Sequence, residues 1–392
     1  MSARYGPSWL AGAGTLSTTS RYRSPLARVD WLLVLPVLGL TVIGSLLVWS
    51  ATRPRLIAAG EDPQTLLKRH LLNIAIGLML GLACALFDYR MLKVYAPIVY
   101  VLSLLGLVLV LTPVGATING SHSWIVLGGG FSVQPAEFAK VALVAGLAML
   151  LAERAEREDA PSAVVVLLAL ALGAVPVALV MLQPDLGTVM VLLALVAGVL
   201  AMAGTKLRWL VGLLSLGVAV CVFAVQSGVL EEYQVNRFAA FANPELDPRG
   251  VGYNANQARI AIGSGGLVGK GLFEGSQTAG QFVPEQQTDF IFTVAGEELG
   301  FLGGMIIIAL FGLLLWRAGK IARHADDLFG ALVAAGVICW FAFQMFENIG
   351  MTLGIMPITG LPLPFVSYGG SAMFAGFMAV GLLQNVHVRS AS

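Results

Sequence analysis

The chain has 392 residues, of which 57% are hydrophobic and only 11% charged, and its formal net charge is +1. Soluble domains carry about 25% charged residues, so water is not the main solvent of this protein. The near-neutral balance also excludes nucleic-acid binding driven by bulk attraction.

In chain order, residues 1–29 read as a polar cytoplasmic tail. Arg21, Arg23 and Arg28 lead into the first apolar run, with no cleavable signal. Crossing a hydrocarbon core about 30 Å thick takes roughly 20 apolar residues. Ten candidate spans follow, at about 31–51, 70–88, 93–112, 134–152, 162–182, 185–204, 208–226, 289–316, 328–354 and 365–386. The expected fold is an all-α polytopic membrane protein with ten transmembrane helices, its membrane domain covering 30–388. Arg90, Lys93, Arg154, Arg157, Lys206, Arg208, Arg317, Lys320, Arg323 and Arg389 fall on the side of the N-terminus. The short loops opposite hold Arg53, Arg55, Lys68 and Arg69. By the positive-inside rule both termini are cytoplasmic.

A polar, Gly-rich segment at about 227–288 then forms a large extracellular loop between helices 7 and 8. Its Phe238, Phe241, Tyr253, Leu272, Phe273 and Phe282 predict a loop that packs back on the helices, and loops of this length are usually functional. A short helix is expected from Asn254 through Gln257-Ala258-Arg259-Ile260, stopping at Gly263-Ser264-Gly265-Gly266. Cys84, Cys221 and Cys339 lie in apolar runs and the histidines are dispersed, so neither set has metal-ligand spacing.

A charge inside a span costs at least about 2.5–3.5 kcal/mol on insertion scales, so each asks for a partner or a role. Glu137 and Lys140, at i and i+3, share one helix face; they either neutralise each other or face a polar cavity near the outer end. Asp185, after Gln183-Pro184, suits the first turn of the sixth helix. Glu297 and Glu298 in the eighth helix, and Glu347 with Asn348 in the ninth, call for surrounding protein.

The most informative stretch is Pro284-Glu285-Gln286-Gln287-Thr288-Asp289-Phe290. Thr288 is expected to cap the eighth helix and Asp289 to fall in its first turn. Position alone leaves two readings of Asp289. One is an ordinary helix-start acid. The other is an ionised carboxylate beside Arg237, Arg259 and Lys270 at headgroup level, set to take a proton from a sugar hydroxyl or to hold a divalent cation against pyrophosphate. Pro357, Gly360, Pro362, Pro364, Gly369 and Gly370 predict irregular backbone before the last helix, tolerable at membrane depth only under protein or water.

These strings together resemble the SEDS family (shape, elongation, division and sporulation proteins), which includes RodA and FtsW. The resemblance is carried by Trp124-Ile125, by Gln134-Pro135-Ala136-Glu137-Phe138-Ala139-Lys140 and by Gln183-Pro184-Asp185-Leu186-Gly187-Thr188. It continues through Gln257 with Ala261-Ile262-Gly263-Ser264-Gly265-Gly266, Pro284-Glu285, Thr288-Asp289-Phe290 and Glu297-Glu298-Leu299-Gly300. Gln344, Asn348 and the run Gly360-Leu361-Pro362-Leu363-Pro364-Phe365-Val366-Ser367-Tyr368-Gly369-Gly370-Ser371 complete it.

The resemblance implies a peptidoglycan glycosyltransferase of the bacterial cytoplasmic membrane that polymerises lipid II on the outer face into an undecaprenyl-linked glycan strand. It implies Asp289 as catalytic base or as ligand of a divalent cation (Mg or Mn). Lys140, Lys270 and Arg259 would compensate pyrophosphate charge, Glu137 would orient Lys140, and Gln257 and Ser367 would bind substrate. The implied partner is a class B penicillin-binding protein. Gly269-Lys270-Gly271 looks like the RodA branch, with a division-type FtsW polymerase as the alternative. Gln281 and Gln287 stand where many relatives carry an acid and a histidine. A lipid II flippase and a non-enzymatic scaffold are the competing classes; a flippase would place its charges at the midplane.

Overall fold

A computed structural model of the protein describes residues 29–118, 120–128, 131–155, 160–226 and 250–390. Helices α1 (Trp31–Ala58), α2 (Thr65–Leu86) and α3 (Tyr89–Val110) are followed by strands β1 (Gly115–Ile118), β2 (Ser121–Gly128) and β3 (Phe131–Val133). Next come α4 (Pro135–Ala155), α5 (Ala163–Met181), α6 (Leu186–Met202) and α7 (Leu207–Gln226). Two short helices, α8 (Val251–Ser264) and α9 (Ser276–Gly280), lie in the predicted loop. The chain closes with α10 (Ile291–Glu298), α11 (Gly300–Arg323), α12 (Leu328–Leu353) and α13 (Gly370–Ser390). Among the described residues eight helices, α1–α5 and α11–α13, are long and apolar enough to cross a membrane. Leu186–Met202 and Leu207–Gly217 are shorter apolar helices. Arg21, Arg23, Arg28, Arg157, Arg237, Phe238, Phe241 and the side chain of Cys221 lie outside the described residues.

Two features depart from the expected all-α bundle of unbroken spans. The first is a three-stranded antiparallel sheet in the order β1-β2-β3. Its Ser121-His122-Ser123-Trp124 alternates in the two-residue period of a strand, with Ser123 buried. The Ser121 hydroxyl meets the Gln183 carbonyl at 2.9 Å, and Gln183 Nε2 donates to Leu107 O at 3.1 Å. The sheet thereby docks where α3 ends and α5 turns into α6. At that turn Asp185 caps α6, accepting from the Thr188 amide at 3.0 Å, the helix-start role its position suggested.

The second departure is a break in the eighth span at Leu299-Gly300, between α10 and α11. Gly300 has φ +66°, and a Cβ there would lie 2.2 Å from Gly269 N. Only glycine fits both the left-handed backbone and that approach. The segment after α8 seals the break. Lys270 N and Gly271 N donate to Glu297 O and Glu298 O, while Phe301 N and Leu302 N donate to Gly266 O and Leu267 O, all at 2.9–3.0 Å. Backbone groups that a break leaves open at membrane depth are thus paired with protein.

Helices α4 and α13 are the most enclosed of the long apolar helices, followed by α12, and the apolar core runs between them and α6 and α11. Val42, Leu82, Val101, Leu167 and Leu302 are exposed on the outer helices, as lipid-facing positions are. At the end opposite the sheet, Arg317 pairs with Asp30, Arg389 with Asp88 at 3.2 Å, and Tyr89 donates to Asp327 at 2.9 Å.

Candidate active site

Asp289 lies in a turn, not in a helix. The helix begins at Ile291 with Phe290 as its N-cap, and no side chain caps it. Thr288 is not the cap; its hydroxyl turns back to Glu285 O at 3.2 Å. Glu285, at φ +50°, gathers the amides of Thr288, Asp289 and Phe290 on its carbonyl at 3.1–3.3 Å. One carbonyl taking three donors tightens residues 284–290 into a turn that holds Asp289 half-buried. The expected first-turn position failed because this local turn outcompetes the Thr288 cap.

The irregular segment 355–369 folds over that turn. Asn348, buried on α12, donates through Nδ2 to Asp289 O and to Leu361 O, both at 2.7 Å. Four residues earlier on the same face, Gln344 donates to Pro362 O at 2.8 Å. Glu347 accepts from the Thr359 hydroxyl at 2.8 Å. Gly360 follows at φ +80°, and a Cβ there would stand 3.2 Å from Asp289 Oδ2. Glycine therefore lets the segment lie against the carboxylate without crowding it. Tyr368 N donates to Gln287 O at 2.8 Å, and the Tyr368 ring lies 5.8 Å from that of buried His70 on α2. Burial pushes the Tyr368 phenol above its ordinary range, so it stays a neutral O–H at physiological pH.

Ser367 joins the two segments. Its hydroxyl donates to Thr288 O and accepts from Leu363 N at 2.8 Å, and the residue is 4% exposed. The hydroxyl is enclosed and ties the two segments together, so the geometry gives Ser367 a positioning role beside the substrate contact that the resemblance implies. Ser367→Ala should lower stability by about 1–3 kcal/mol, the cost of leaving a buried partner unsatisfied. It should also lower kcat while leaving KM for substrate unchanged. A rise in KM alone would leave only the substrate-contact role.

Glu137 and Lys140 meet each other. Lys140 Nζ lies 2.7 Å from the Glu137 carboxylate, 3.2 Å from Gln344 Oε1 and 4.9 Å from the centre of the Trp340 ring. Both residues are buried, Lys140 at 0% exposure, so the pair faces α12 and not an open polar cavity. The i,i+3 spacing was read correctly, but that face of α4 is the packed one. Gln344 carries the pair's influence to Pro362, and Asn348 carries the same loop to Asp289. Glu137 and Lys140 are thus linked to Asp289 through α12 and the loop.

Lys270 and Arg259 each have a partner of their own. Lys270 Nζ binds Glu297 at 2.7 Å and Ser276 at 2.8 Å. Glu297 stands at the far end of α10, about 12 Å along the axis at 1.5 Å per residue. Its carboxylate also takes the amides of Gln277 and Thr278 at 2.8 Å and anchors α9. Arg259 binds Asn256 at 2.8 Å and its stem passes Gly354 at the end of α12. Gln257 is half-buried on the same helix. That helix spans Val251–Ser264, starting earlier than Asn254 and ending at the glycine run as expected. It packs on α10 and α12 through Ala258 and Ala261, which cluster with Val283 and Phe290.

Fold and site define a class first: a multi-helix membrane protein with an acid, Asp289, held in a turn that a Pro/Gly-rich segment covers. The family model for FtsW, RodA and SpoVE, described as "Cell cycle protein", matches residues 30–392. The probable peptidoglycan glycosyltransferase FtsW of Trichlorobacter lovleyi is 38% identical, over 92% of this chain and 93% of its own length. The peptidoglycan glycosyltransferase MrdB of Escherichia coli K12 is 37% identical over the same shares. Among solved structures, a chain of a peptidoglycan synthase complex superposes with a TM-score of 0.76 at 33% identity, covering 92% of this chain and 98% of that one. The Thermus thermophilus rod shape determining protein RodA gives 0.67 at 33% identity, covering 92% and 96%. The chain belongs to the FtsW, RodA and SpoVE family of SEDS proteins.

Proposed function

We propose that this protein is a peptidoglycan glycosyltransferase of the bacterial cytoplasmic membrane. It joins lipid II disaccharides into glycan strands on the outer face, in the elongation branch typified by RodA. The observation that carries this reading is Asp289, a carboxylate fixed in its own turn and covered by the 355–369 segment. An acceptor sugar hydroxyl attacks the anomeric carbon of the donor. Asp289 takes the hydroxyl proton, and undecaprenyl pyrophosphate departs with the bonding electron pair. Pyrophosphate leaves without protonation if its charge is compensated, so one carboxylate suffices where hydrolysis of a glycoside needs two.

Compensation from Arg259 and Lys270 requires each to leave its present partner and turn toward the leaving group. Among the described residues no three acidic, His or Cys side chains gather to cage a metal. Asp289 beside Gly360 fits the other common arrangement, in which one carboxylate and the substrate's phosphates share a hydrated divalent ion. Such an ion would supply charge neutralisation to the pyrophosphate. Ten spans, cytoplasmic termini and an outward-facing site complete the proposal, with a class B penicillin-binding protein as cross-linking partner.

The RodA branch rests on Gly269-Lys270-Gly271, where the two glycines at φ +81° and +103° deliver Lys270 to Glu297. The test is reconstitution of the purified protein in vesicles with labelled lipid II. Glycan chain growth without lipid translocation supports the reading. Translocation without growth establishes the flippase instead, and neither activity in the presence of the transpeptidase leaves the scaffold.

A further inference from the structure

A cavity of about 290 Å³ opens between α1 and α9. Its walls carry two opposite charges, Arg53 and Glu298, together with Ser50, Thr278 and Phe273. Arg53 is exposed, and its guanidinium lies 5.4 Å from the centre of the Phe273 ring, which Trp49 braces edge-on at 4.8 Å. Glu298 is 1% exposed and forms the deep end. Its Oε1 accepts from the Ser50 hydroxyl at 2.5 Å and the backbone amides of Phe273 and Gly275 approach the carboxylate, while Oε2 has no hydrogen-bond partner of good geometry among the described residues. Although the two charges share one cavity, they do not approach within ion-pair distance of each other. Instead Arg53 is held on an aromatic face, and Glu298 by a hydroxyl and the nearby amides of Phe273 and Gly275.

A cation at the mouth and an anion at the floor match a ligand whose own charges are separated in the opposite sense. Guanidinium is the preferred protein group for phosphate, and a carboxylate with a spare lone pair accepts from an ammonium. The cavity lies some five to eight residues below the end of α1, which is roughly 8–12 Å at 1.5 Å per residue. That is the zone where lipid headgroups meet helix ends. We propose that this cavity binds the headgroup of a zwitterionic phospholipid bearing a primary amine, phosphate on Arg53 and ammonium on Glu298. Gln286 bridges the same walls, donating to Ala51 O and Thr278 O at 3.0 Å, three residues before Asp289. A lipid seated here braces the turn that carries the proposed catalytic acid, from the side away from the 355–369 segment.

The test uses the full chain in nanodiscs of equal parts phosphatidylethanolamine, phosphatidylcholine and phosphatidylglycerol, followed by native mass spectrometry of retained lipid. The wild type should keep phosphatidylethanolamine at least fivefold over both others. Phosphatidylcholine offers no N–H to Glu298, and phosphatidylglycerol offers no cation. Arg53→Ala should bring the three toward equality, and so should Ala279→Phe, which fills the cavity from an exposed helix position without touching either charge. Equal retention of all three by the wild type overturns the proposal. So does a preference for phosphatidylglycerol, which Arg53 alone would explain, or unchanged retention in both variants.

Discussion

Asp289→Asn should abolish glycan polymerisation by the purified protein, a loss of at least the roughly 10²–10⁴-fold that a positioned general base supplies. The amide is nearly isosteric with the acid. It leaves the Asp289 amide on Glu285 O and the Asp289 carbonyl on Asn348, so the turn persists. What disappears is the negative charge that either proton removal or cation binding requires. Retained thermal stability with lost chain growth is the expected pair of readings. Turnover near the wild-type rate would remove Asp289 from the chemistry altogether. Asp289→Glu assayed with Mg and Mn then separates the two roles, since a change of metal preference belongs to a ligand and not to a base.

The second large effect is expected from Asn348→Leu. Leucine matches the volume but removes the donor shared by Asp289 O and Leu361 O. A buried group that loses its partner costs about 1–3 kcal/mol, and here two carbonyls are affected. Melting temperature should drop, and kcat should fall at least tenfold with little change in KM, because the acid loses its position and not its charge. If both stay at wild-type values, the bridge from α12 does not set the geometry of the site. The opposite pattern, a raised KM with normal kcat, would place Asn348 against the substrate.

Hydrophobic run length found the helices, and the break between α5 and α6 at Gln183-Pro184-Asp185 fell where Pro and an N-cap acid predicted it. The sheet was missed because Ser121–Gly128 is short and surrounded by much stronger apolar signals. The break at Gly300 was missed for a different reason: the predominantly apolar run through Glu297-Glu298 reads as one helix, and only a distant segment makes it two. At the site, Asp289 was legible through resemblance, whereas its turn depends on backbone donors that leave no compositional trace. Lys140 and Ser367 show the limit most directly. Both sit in motifs, yet Lys140 is enclosed by Glu137 and Gln344, and Ser367 spends its hydroxyl on Thr288 and Leu363. Partners of this kind come from tertiary packing, which neither spacing nor charge reports. Gln344 and Asn348 could have been grouped with them, since i,i+4 on α12 predicts a shared polar face.

The seal between Gly266–Gly271 and the α10–α11 break carries a consequence for biogenesis. Its two halves are separated by roughly thirty positions of chain, and the earlier half leaves the ribosome first. The amides of Lys270 and Gly271 find Glu297 O and Glu298 O once α10 is made, but the carbonyls of Gly266 and Leu267 must wait until α11 is synthesised and supplies the amides of Phe301 and Leu302. Insertion of α11 and closure of the extramembrane loop are therefore one assembly event. A chain truncated just before Gly300 would keep the Glu297 and Glu298 carbonyls but leave the Gly266 and Leu267 carbonyls without their donors, which is the kind of exposed backbone that quality-control proteases recognise.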